Sequence, residues 1–500
     1  MENGNQLKLK PLGIDTRNEH TVYMRRDCPV CVSEGFEALT RIIVSHGEKS
    51  VVATLSVLEN DLLLGHDELS LSEKAITALR AGPGDLLRLS HLPPINSMSA
   101  VRSKVYGHRL KQQEVEDIVK DLAAGNYSNV EIAAFVTACA GKRLDIDEII
   151  HLTRAMINAG QKLSWPEEKV YDKHCIGGLP GNRTTPIVVA IAAAAGLTIP
   201  KTSSRAITSP AGTADTMEVF TNVNLSLEQM AQVVKQENGC LAWGGSMQLS
   251  PADDILIRVE KALDIDSEGQ MIASVLSKKA AAGSTHVVID IPVGPTAKVR
   301  TAKDAEELSR RMIKVAKAID LKLQIIVTDG TQPVGRGIGP ALEARDVYSV
   351  LKASPEAPKD LRNRALILAG KLLELAGKAP LDEGFKQAEN ILDSGRAFEK
   401  FKAICIAQGG FNKPTKAPLS HVVISKTRGT VTEIDNRKLA KLAKLAGAPD
   451  NKAAGIDFFT PIGTVVQKGQ TLYEIYGESE GELAYALEYH NSQQNILTIK

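Results

Sequence analysis

The stretch Asp172-Lys-His-Cys-Ile-Gly-Gly-Leu-Pro-Gly-Asn-Arg-Thr-Thr185 sets a lysine, an imidazole and three glycines ahead of an apolar, alanine-rich run that begins at Pro186. Glycine lets a backbone come close to a ligand, and a helix N-terminus offers unbonded N–H groups at the positive end of its dipole. Lys173 adds a full charge, and Thr184 and Thr185 add hydroxyl donors. Together these suit a phosphate cradle. The loop differs from a Walker A motif, because its lysine precedes the glycines instead of following them. The run from Pro186 to Gly196 is too short to span a bilayer, which takes roughly 18 to 20 apolar residues, and reads as a buried helix.

A second loop lies just downstream, Thr202-Ser-Ser-Arg-Ala-Ile-Thr-Ser-Pro-Ala-Gly-Thr-Ala-Asp-Thr-Met-Glu218, dense in hydroxyls and carrying one arginine. It follows the strand candidate Leu197–Pro200, and the carboxyl ends of strands are where open α/β sheets bind ligands. Either loop alone also fits an ordinary turn or a solvated surface segment. Two in one α/β region point to an anion site. Gly178 in the first, and Ser204, Arg205 and Ser209 in the second, are candidate phosphate contacts.

Around these loops the chain alternates. Strand candidates His286–Ile291 and Leu323–Val327 are separated by a helical pattern over 302–318, as expected of a sheet covered by helices. Upstream, Val115, Ile118, Val119 and Leu122 fall on one helical stripe, and Ser128-Asn-Val-Glu131 and Asp145-Ile-Asp-Glu148 are capping boxes that open two further helices, the last ending at Gly160. Residues 1–95 carry short β-like runs such as Val51–Val57, and Pro93-Pro94 begins a linker. The end of the chain returns to short strands at His421–Ile424, Gly429–Ile434 and Thr471–Tyr476. The expected organisation is a β-rich N-terminal domain over 1–95 used for assembly and a helical domain over 96–168, to which 251–282 returns. An α/β phosphate-binding domain over 169–250 and 283–415 and a small α+β domain over 416–500 complete it.

Composition narrows the function. Sixty Lys and Arg balance fifty-nine Asp and Glu for a net charge of +1, which argues against a nucleic-acid coat or a polybasic membrane binder. Aromatics at 4% are too sparse for a base-stacking platform. Six scattered cysteines make a disulfide framework unexpected, and Cys28-Pro-Val-Cys31 has no second pair to complete a zinc site, so a structural role is expected. The first residues, MENGNQLKLK, hold no apolar signal core, so the expected location is the cytoplasm, with no membrane and no nucleic acid as partner. Cys139, Cys240 and Cys405 read as core residues, and Gly335-Arg-Gly-Ile-Gly339 as a turn.

Lys173-His-Cys-Ile-Gly-Gly and Ser203–Glu218 resemble the signatures of the thymidine and pyrimidine-nucleoside phosphorylase family. The resemblance runs from about Met98 to about Tyr476. It includes Gly160–Trp165, Ala273–Lys279 and Thr328–Gly335, and is closest to the longer branch with an extra N-terminal domain. It implies a class II nucleoside phosphorylase fold: a helical domain and a large mixed-sheet α/β domain, here with the two additional domains. Lys173, Ser203 and Thr213 match phosphate-binding positions, with Thr185 a fourth. His174 matches the histidine facing the base, Ser274 and Lys278 match groups that hold the pyrimidine, and Asp266 matches a carboxylate proposed as proton donor. Two positions depart from the pattern. Cys175 stands where a phosphate-binding serine is usual, and Arg258 matches the base-binding arginine only with one residue inserted before Asp266. The implied reaction is phosphorolysis of thymidine or another pyrimidine nucleoside, giving thymine and 2-deoxy-α-D-ribose 1-phosphate, with inorganic phosphate as co-substrate and neither metal nor organic cofactor. Catalysis would fall to Asp266, His174 and Lys278. A homodimer or larger homo-oligomer is expected.

Two other readings have their own residues. Lys298, in Ile291-Pro-Val-Gly-Pro-Thr-Ala-Lys298, could neutralise a 5′-phosphate beside the sugar, which favours a nucleoside monophosphate such as AMP or CMP and a ribose 1,5-bisphosphate product. The broad plan also resembles the anthranilate phosphoribosyltransferases, which need magnesium ligands; Asp215 with Glu218, or Asp253-Asp254, could serve.

Overall fold

The computed structural model describes residues 5–17, 19–206, 209–247, 249–263, 265, 267–493 and 495–500. They form two compact units, residues 1–138 and 139–500.

In the first unit, β1 (Gln6–Leu9), β2 (Thr21–Arg25), β3 (Arg41–His46), β4 (Lys49–Leu58), β5 (Glu68–Leu71) and β6 (Leu86–His91) close into a barrel in the order β1-β5-β2-β4-β3-β6. Every second side chain points inward, as strand geometry requires. Leu7 and Leu9, Val22 and Met24, Ile42 and Val44, Leu69 and Leu71, and Leu87 and Leu89 fill the interior. The helix α1 (Pro29–Glu34) adds Cys28 and Cys31 to this core. There Cys28 Sγ accepts the Cys31 N–H at 3.2 Å and Cys31 Sγ donates to the Phe36 carbonyl at 3.2 Å, so the pair packs as a structural cap. A second short helix, α2 (Glu73–Leu79), precedes β6. Then come α3 (Met98–Val105), α4 (Gln112–Ala123) and α5 (Asn129–Ala138). The stripe Val115, Ile118, Val119 and Leu122 is buried on α4, and Ser128 and Glu131 exchange reciprocal capping bonds ahead of α5.

The second unit opens with α6 (Ile146–Ala159), capped by Asp145 and Glu148 as the sequence predicts and ended at Gly160. The strands β7 (Tyr171–Cys175), β10 (His286–Val293) and β11 (Lys322–Asp329) pair in parallel in the order β11-β10-β7, and β8 (Ile199–Ser203) pairs in parallel with β9 (Gly239–Trp243). The Tyr171 N–H donates to the Thr198 carbonyl at 2.9 Å, which sets β7 beside β8. The helix α7 (Thr185–Ala194) follows the first loop and is buried from Thr185 to Ala193, which is why its sequence is apolar all round. It packs in the main core with residues of α13 (Pro340–Leu351), α14 (Lys359–Leu375), α15 (Gly384–Asp393) and α16 (Arg396–Ala407). The remaining helices are α8 (Thr213–Phe220), α9 (Leu227–Glu237), α10 (Pro251–Leu263), α11 (Glu268–Ala281) and α12 (Ala302–Ala318), the last with the bounds read from the sequence.

At the C-terminal end, β13 (Leu419–Ile424), β14 (Gly429–Ile434), β15 (Gly455–Phe458), β16 (Val465–Val466), β17 (Thr471–Gly477) and β18 (Leu497–Ile499) surround α17 (Asn436–Leu445) and α18 (Glu480–Ser492). One segment read as a turn behaves otherwise. Gly337–Ile338 is the strand β12, and it pairs antiparallel with β15, so the end of the α/β region supplies a strand to the C-terminal sheet. Among the described residues no helix is long and apolar enough to cross a membrane.

Candidate functional site

Lys173 sits at the centre of β7 with no exposed surface. Its ammonium donates to Thr184 Oγ1 at 2.7 Å and to Thr185 Oγ1 at 3.4 Å. Among the described residues no carboxylate lies within ion-pair distance of it. Burial pulls its pKa below the ordinary lysine value. A buried cation held only by hydroxyls is costly unless an anion joins it. Thr184 is the N-cap of α7, yet its side chain takes no capping bond from the helix. The hydroxyl serves Lys173 instead.

The glycines ahead of α7 bring another cation to this loop. Gly178 has φ +83°, and a Cβ there would lie 2.9 Å from the Lys298 backbone nitrogen and 3.0 Å from Lys298 Cβ. Only glycine lets the loop and the Lys298 segment approach this closely. Cys175, at the end of β7, accepts from Asn182 Nδ2 at 3.3 Å, and the same amide lies 3.3 Å from Asp290 Oδ2. Burial, with Asp290 adding to it, pushes the Cys175 thiol up to about 12, so the group is a neutral thiol at physiological pH.

The second loop runs from the end of β8 to α8. Ser203 Oγ is buried without a hydrogen-bond partner. A Cβ on Gly212 would lie 2.5 Å from the Ser204 carbonyl, so the loop folds tightly back on itself. Arg183, from the first loop, ties the two together: it donates to Thr213 Oγ1 at 2.8 Å, to the Ala211 carbonyl at 2.7 Å, and to buried Glu343 at 2.7 Å. Ser209 donates to the Ala211 carbonyl at 2.8 Å, and Ser204 is exposed. Arg205 faces elsewhere. Its guanidinium donates to Glu218 at 2.8 and 2.9 Å and to Asp215 at 3.2 Å, and it stacks 4.9 Å over the Trp243 ring. The Arg205 hydrogen bonds, joined by Lys452, hold the Glu218 carboxyl down at about 2 despite its partial burial.

On the other side stands α11. Ser274 and Lys278 lie one turn apart on it, both half-buried, and so share a face. Lys278 pairs with Asp253 of α10 at 2.7 Å. Asp254, next to it, reaches solvent but is crowded by the surrounding protein. That desolvation, with Asp253 adding to it, pushes its carboxyl up to about 6. Arg258 follows one turn after Asp254 and is half-buried. His174 is half-exposed. Burial, then Lys279, Lys201, Lys278 and Lys173, hold its pKa well below the ordinary value, so the imidazole is neutral at pH 7. Asp266 lies outside the described residues.

Sequence reasoning passed over three groups that organise this region. Arg183 and Asn182 lay inside the first motif but were not singled out. Asp172, at its first position, is fully buried between Lys201 at 3.1 Å and Lys279 at 2.6 Å. A charged residue in the middle of a buried strand was the available signal. The carboxylates considered as magnesium ligands, Asp215 with Glu218 and Asp253, are instead matched by Arg205 and Lys278.

Comparison with known proteins gives a consistent picture. The chain matches the helical bundle domain of a glycosyl transferase family over residues 98–160 and the a/b domain of that family over 167–398. It also matches the pyrimidine nucleoside phosphorylase C-terminal domain over 430–496. A protein of Hahella chejuensis named "Putative thymidine phosphorylase" is 54% identical over 99% of this chain and 98% of its own length. "Putative thymidine phosphorylase 2" of an Acidovorax species is 56% identical over 100% and 97%. Among solved structures, anthranilate phosphoribosyltransferase from Thermus thermophilus superposes with a TM-score of 0.53 at 21% identity, covering 62% of this chain and 99% of that one, a likeness of fold.

Proposed function

The chain belongs to the thymidine and pyrimidine-nucleoside phosphorylase family and is a pentosyltransferase, and from that premise we propose that it cleaves pyrimidine nucleosides, thymidine first among them, with inorganic phosphate. The observation that carries the reading is Lys173: a buried ammonium bonded to two hydroxyls and, among the described residues, to no carboxylate, at the start of a helix. Phosphate fits that place by charge and by hydrogen bonding. Ser203, with its unpartnered buried hydroxyl, and Thr213, oriented by Arg183, supply further donors. Thr185, Gly178, Ser204 and Ser209 complete the phosphate loops in this reading. Arg205 is assigned to holding the second loop to Trp243 and α8.

The chemistry follows from the charge that develops. As the glycosidic bond breaks, the sugar gains positive and the base negative character. A phosphate oxygen attacks the anomeric carbon from the face opposite the base, so the sugar leaves as the inverted α-1-phosphate. The bonding electrons pass to the base nitrogen. Lys278 and Ser274 stabilise the base as it becomes anionic, the task of preorganised charge. His174, neutral at pH 7, donates a hydrogen bond to the base and does not act as a strong acid. Asp266 is retained as a candidate proton donor from the family resemblance. Phosphate is the co-substrate and no cofactor is invoked. A homodimer is proposed as the working unit, in the cytoplasm.

A second substrate reading has its own observation. Lys298 sits with its backbone against Gly178, so a second cation-bearing segment borders the phosphate loop. In that reading Lys298 takes the 5′-phosphate of AMP or CMP and the product is ribose 1,5-bisphosphate. Phosphate-dependent base release from thymidine, uridine, cytidine, AMP and CMP at equal concentration tests both. Release from thymidine or uridine supports the nucleoside reading. Release from AMP or CMP alone replaces it with the nucleotide one, and no phosphate-dependent release from any of them overturns both.

A further inference from the structure

Asp172 makes more of its position than a core ion pair needs. It has no exposed surface, and its Oδ1 accepts the Lys173 backbone N–H at 2.7 Å while standing 3.1 Å from Lys201 Nζ. Its other oxygen, Oδ2, accepts from Lys279 Nζ at 2.6 Å. The two lysines are 3 and 4% exposed, so two buried amino groups share one carboxylate, and burial pulls the Lys279 pKa down to about 7. Buried ion pairs give little net stability over apolar packing of the same volume, and a two-to-one cluster gives less. What such a cluster can fix is geometry, because three hydrogen-bonded groups must meet at one point.

The three elements that meet there carry the two halves of the site. Lys173 belongs to β7. Lys201 is two residues before Ser203 on β8, the alternation that puts both on one face of the strand. Lys279 directly follows Lys278 on α11. We propose that Asp172 is a positioning residue that sets the phosphate-side strands and the base-side helix in one register, through Lys201 on one side and Lys279 on the other. This rests on the assignment of phosphate to Lys173 and Ser203 and of the base to Ser274 and Lys278. Neither lysine of the cluster touches a substrate in this scheme. Lys201 acts through Ser203, two residues on, and Lys279 through the adjoining Lys278.

The test varies both substrates in initial-rate measurements of base release, on the full chain, for wild type, Lys201→Met, Lys279→Met and Asp172→Asn. Wild-type turnover tests the functional reading by itself; the variants test the positioning. Lys201→Met is expected to raise the KM for phosphate by about tenfold and leave the nucleoside KM within about twofold, and Lys279→Met to do the reverse, since misplacement on the order of 1 Å is worth up to about 100-fold. Asp172→Asn is expected to raise both and to lower kcat. It leaves two buried ammoniums without an anion and can fail to fold, so the lysine variants carry the test. Each of those leaves a one-to-one pair and should show native circular dichroism and elution. Unchanged KM values in both, an equal rise of both KM values in each, or loss of folding in either overturns the proposal.

Discussion

Replacing Lys173 with methionine separates a cation kept for an anion from a cation kept for the fold. Methionine has nearly the lysine volume and fills the same buried path. Among the described residues no carboxylate loses an ion-pair partner when the ammonium goes, because its hydrogen bonds run to Thr184 and Thr185. The variant should therefore be at least as stable as wild type in phosphate-free buffer, since the desolvation cost of a buried charge disappears with it. Burial lowers the Lys173 pKa in the folded chain, so between that value and 10.5 the unfolded chain binds more protons. Wild-type stability then rises with pH across that window, and its deficit against Lys173→Met narrows. Activity moves the other way. Truncating one partner of a buried, hydrogen-bonded charge pair costs about 2 to 5 kcal/mol, or roughly 30- to 5000-fold in kcat/KM for phosphate. Phosphate at about 100 times its Kd stabilises a protein that binds it by about 2.7 kcal/mol, and the variant should lose that shift. Urea unfolding with and without phosphate, beside initial rates of base release, reads all three. A variant that is destabilised in phosphate-free buffer, or that keeps kcat/KM for phosphate within threefold, refutes the assignment.

Four further substitutions probe the same site from different sides. Cys175→Ser puts a stronger hydroxyl donor where a neutral thiol now stands, and one ordinary hydrogen bond of about 0.5 to 1.5 kcal/mol should lower the phosphate KM by roughly 2- to 12-fold; a raised KM would mean that the position does not face phosphate. Arg183→Met leaves Glu343 buried without its cation and should cost about 3 to 5 kcal/mol in urea unfolding. The double variant with Glu343→Leu should regain most of that stability while its phosphate KM stays high, because Thr213 remains unoriented. Lys298→Ala should reduce kcat/KM for AMP by about 1.5 to 3 kcal/mol, or roughly 10- to 150-fold, and leave thymidine unaffected. Equal losses on both substrates would remove the 5′-phosphate role. Glu218→Gln tests the Arg205 latch through pH. The Glu218 pKa falls from 4.5 to about 2 on folding, so its contribution is present above 4.5 and lost as pH drops towards 2; the stability gap between wild type and variant should close between pH 4.5 and 2, and a constant gap would deny the linkage.

What the sequence revealed depended on whether a feature was local. The α4 stripe, the Asp145–Glu148 capping box and the exact bounds of α12 are set by residues three or four apart, and all were legible. The two loops that carry the candidate site were legible because glycine, hydroxyls and cations cluster within a few positions. Pairing between distant segments was not. Nothing near Gly337–Ile338 indicates that it pairs with Gly455–Phe458, more than a hundred residues later, nor do the short runs of the first ninety residues state that they close into a barrel. The same limit applied within the site. Arg205 stood in the hydroxyl loop and read as a phosphate ligand, but its partners Glu218 and Trp243 come from α8 and β9. Asp172 read as the mere start of a motif because Lys201 and Lys279 lie 29 and 107 positions away along the chain.

The arrangement of charge is what favours phosphate over a neutral polar ligand in the proposed reading. Lys278 is matched by Asp253, and Arg183 by Glu343; each pair is close to neutral. Asp172 answers only one of its two lysines, and Lys173 has no carboxylate within ion-pair distance among the described residues. Burial pulls the Lys279 pKa down to about 7, so positive charge around Asp172 and Lys173 exceeds the one buried carboxylate without amounting to a fixed count. A phosphate dianion carries the balancing charge and the acceptor oxygens that Lys173, Ser203 and the start of α7 can fill. The neutral state of His174 follows first from burial and then from the same lysines, since an imidazolium would add a further charge beside four of them. Once phosphate has entered, that penalty is reduced, and the His174 pKa should rise. Phosphate-induced deshielding of the His174 ring protons at pH 6, absent in Lys173→Met, would report this coupling by NMR. An unmoved resonance at saturating phosphate would place the anion too far from His174 for one site to hold both substrates.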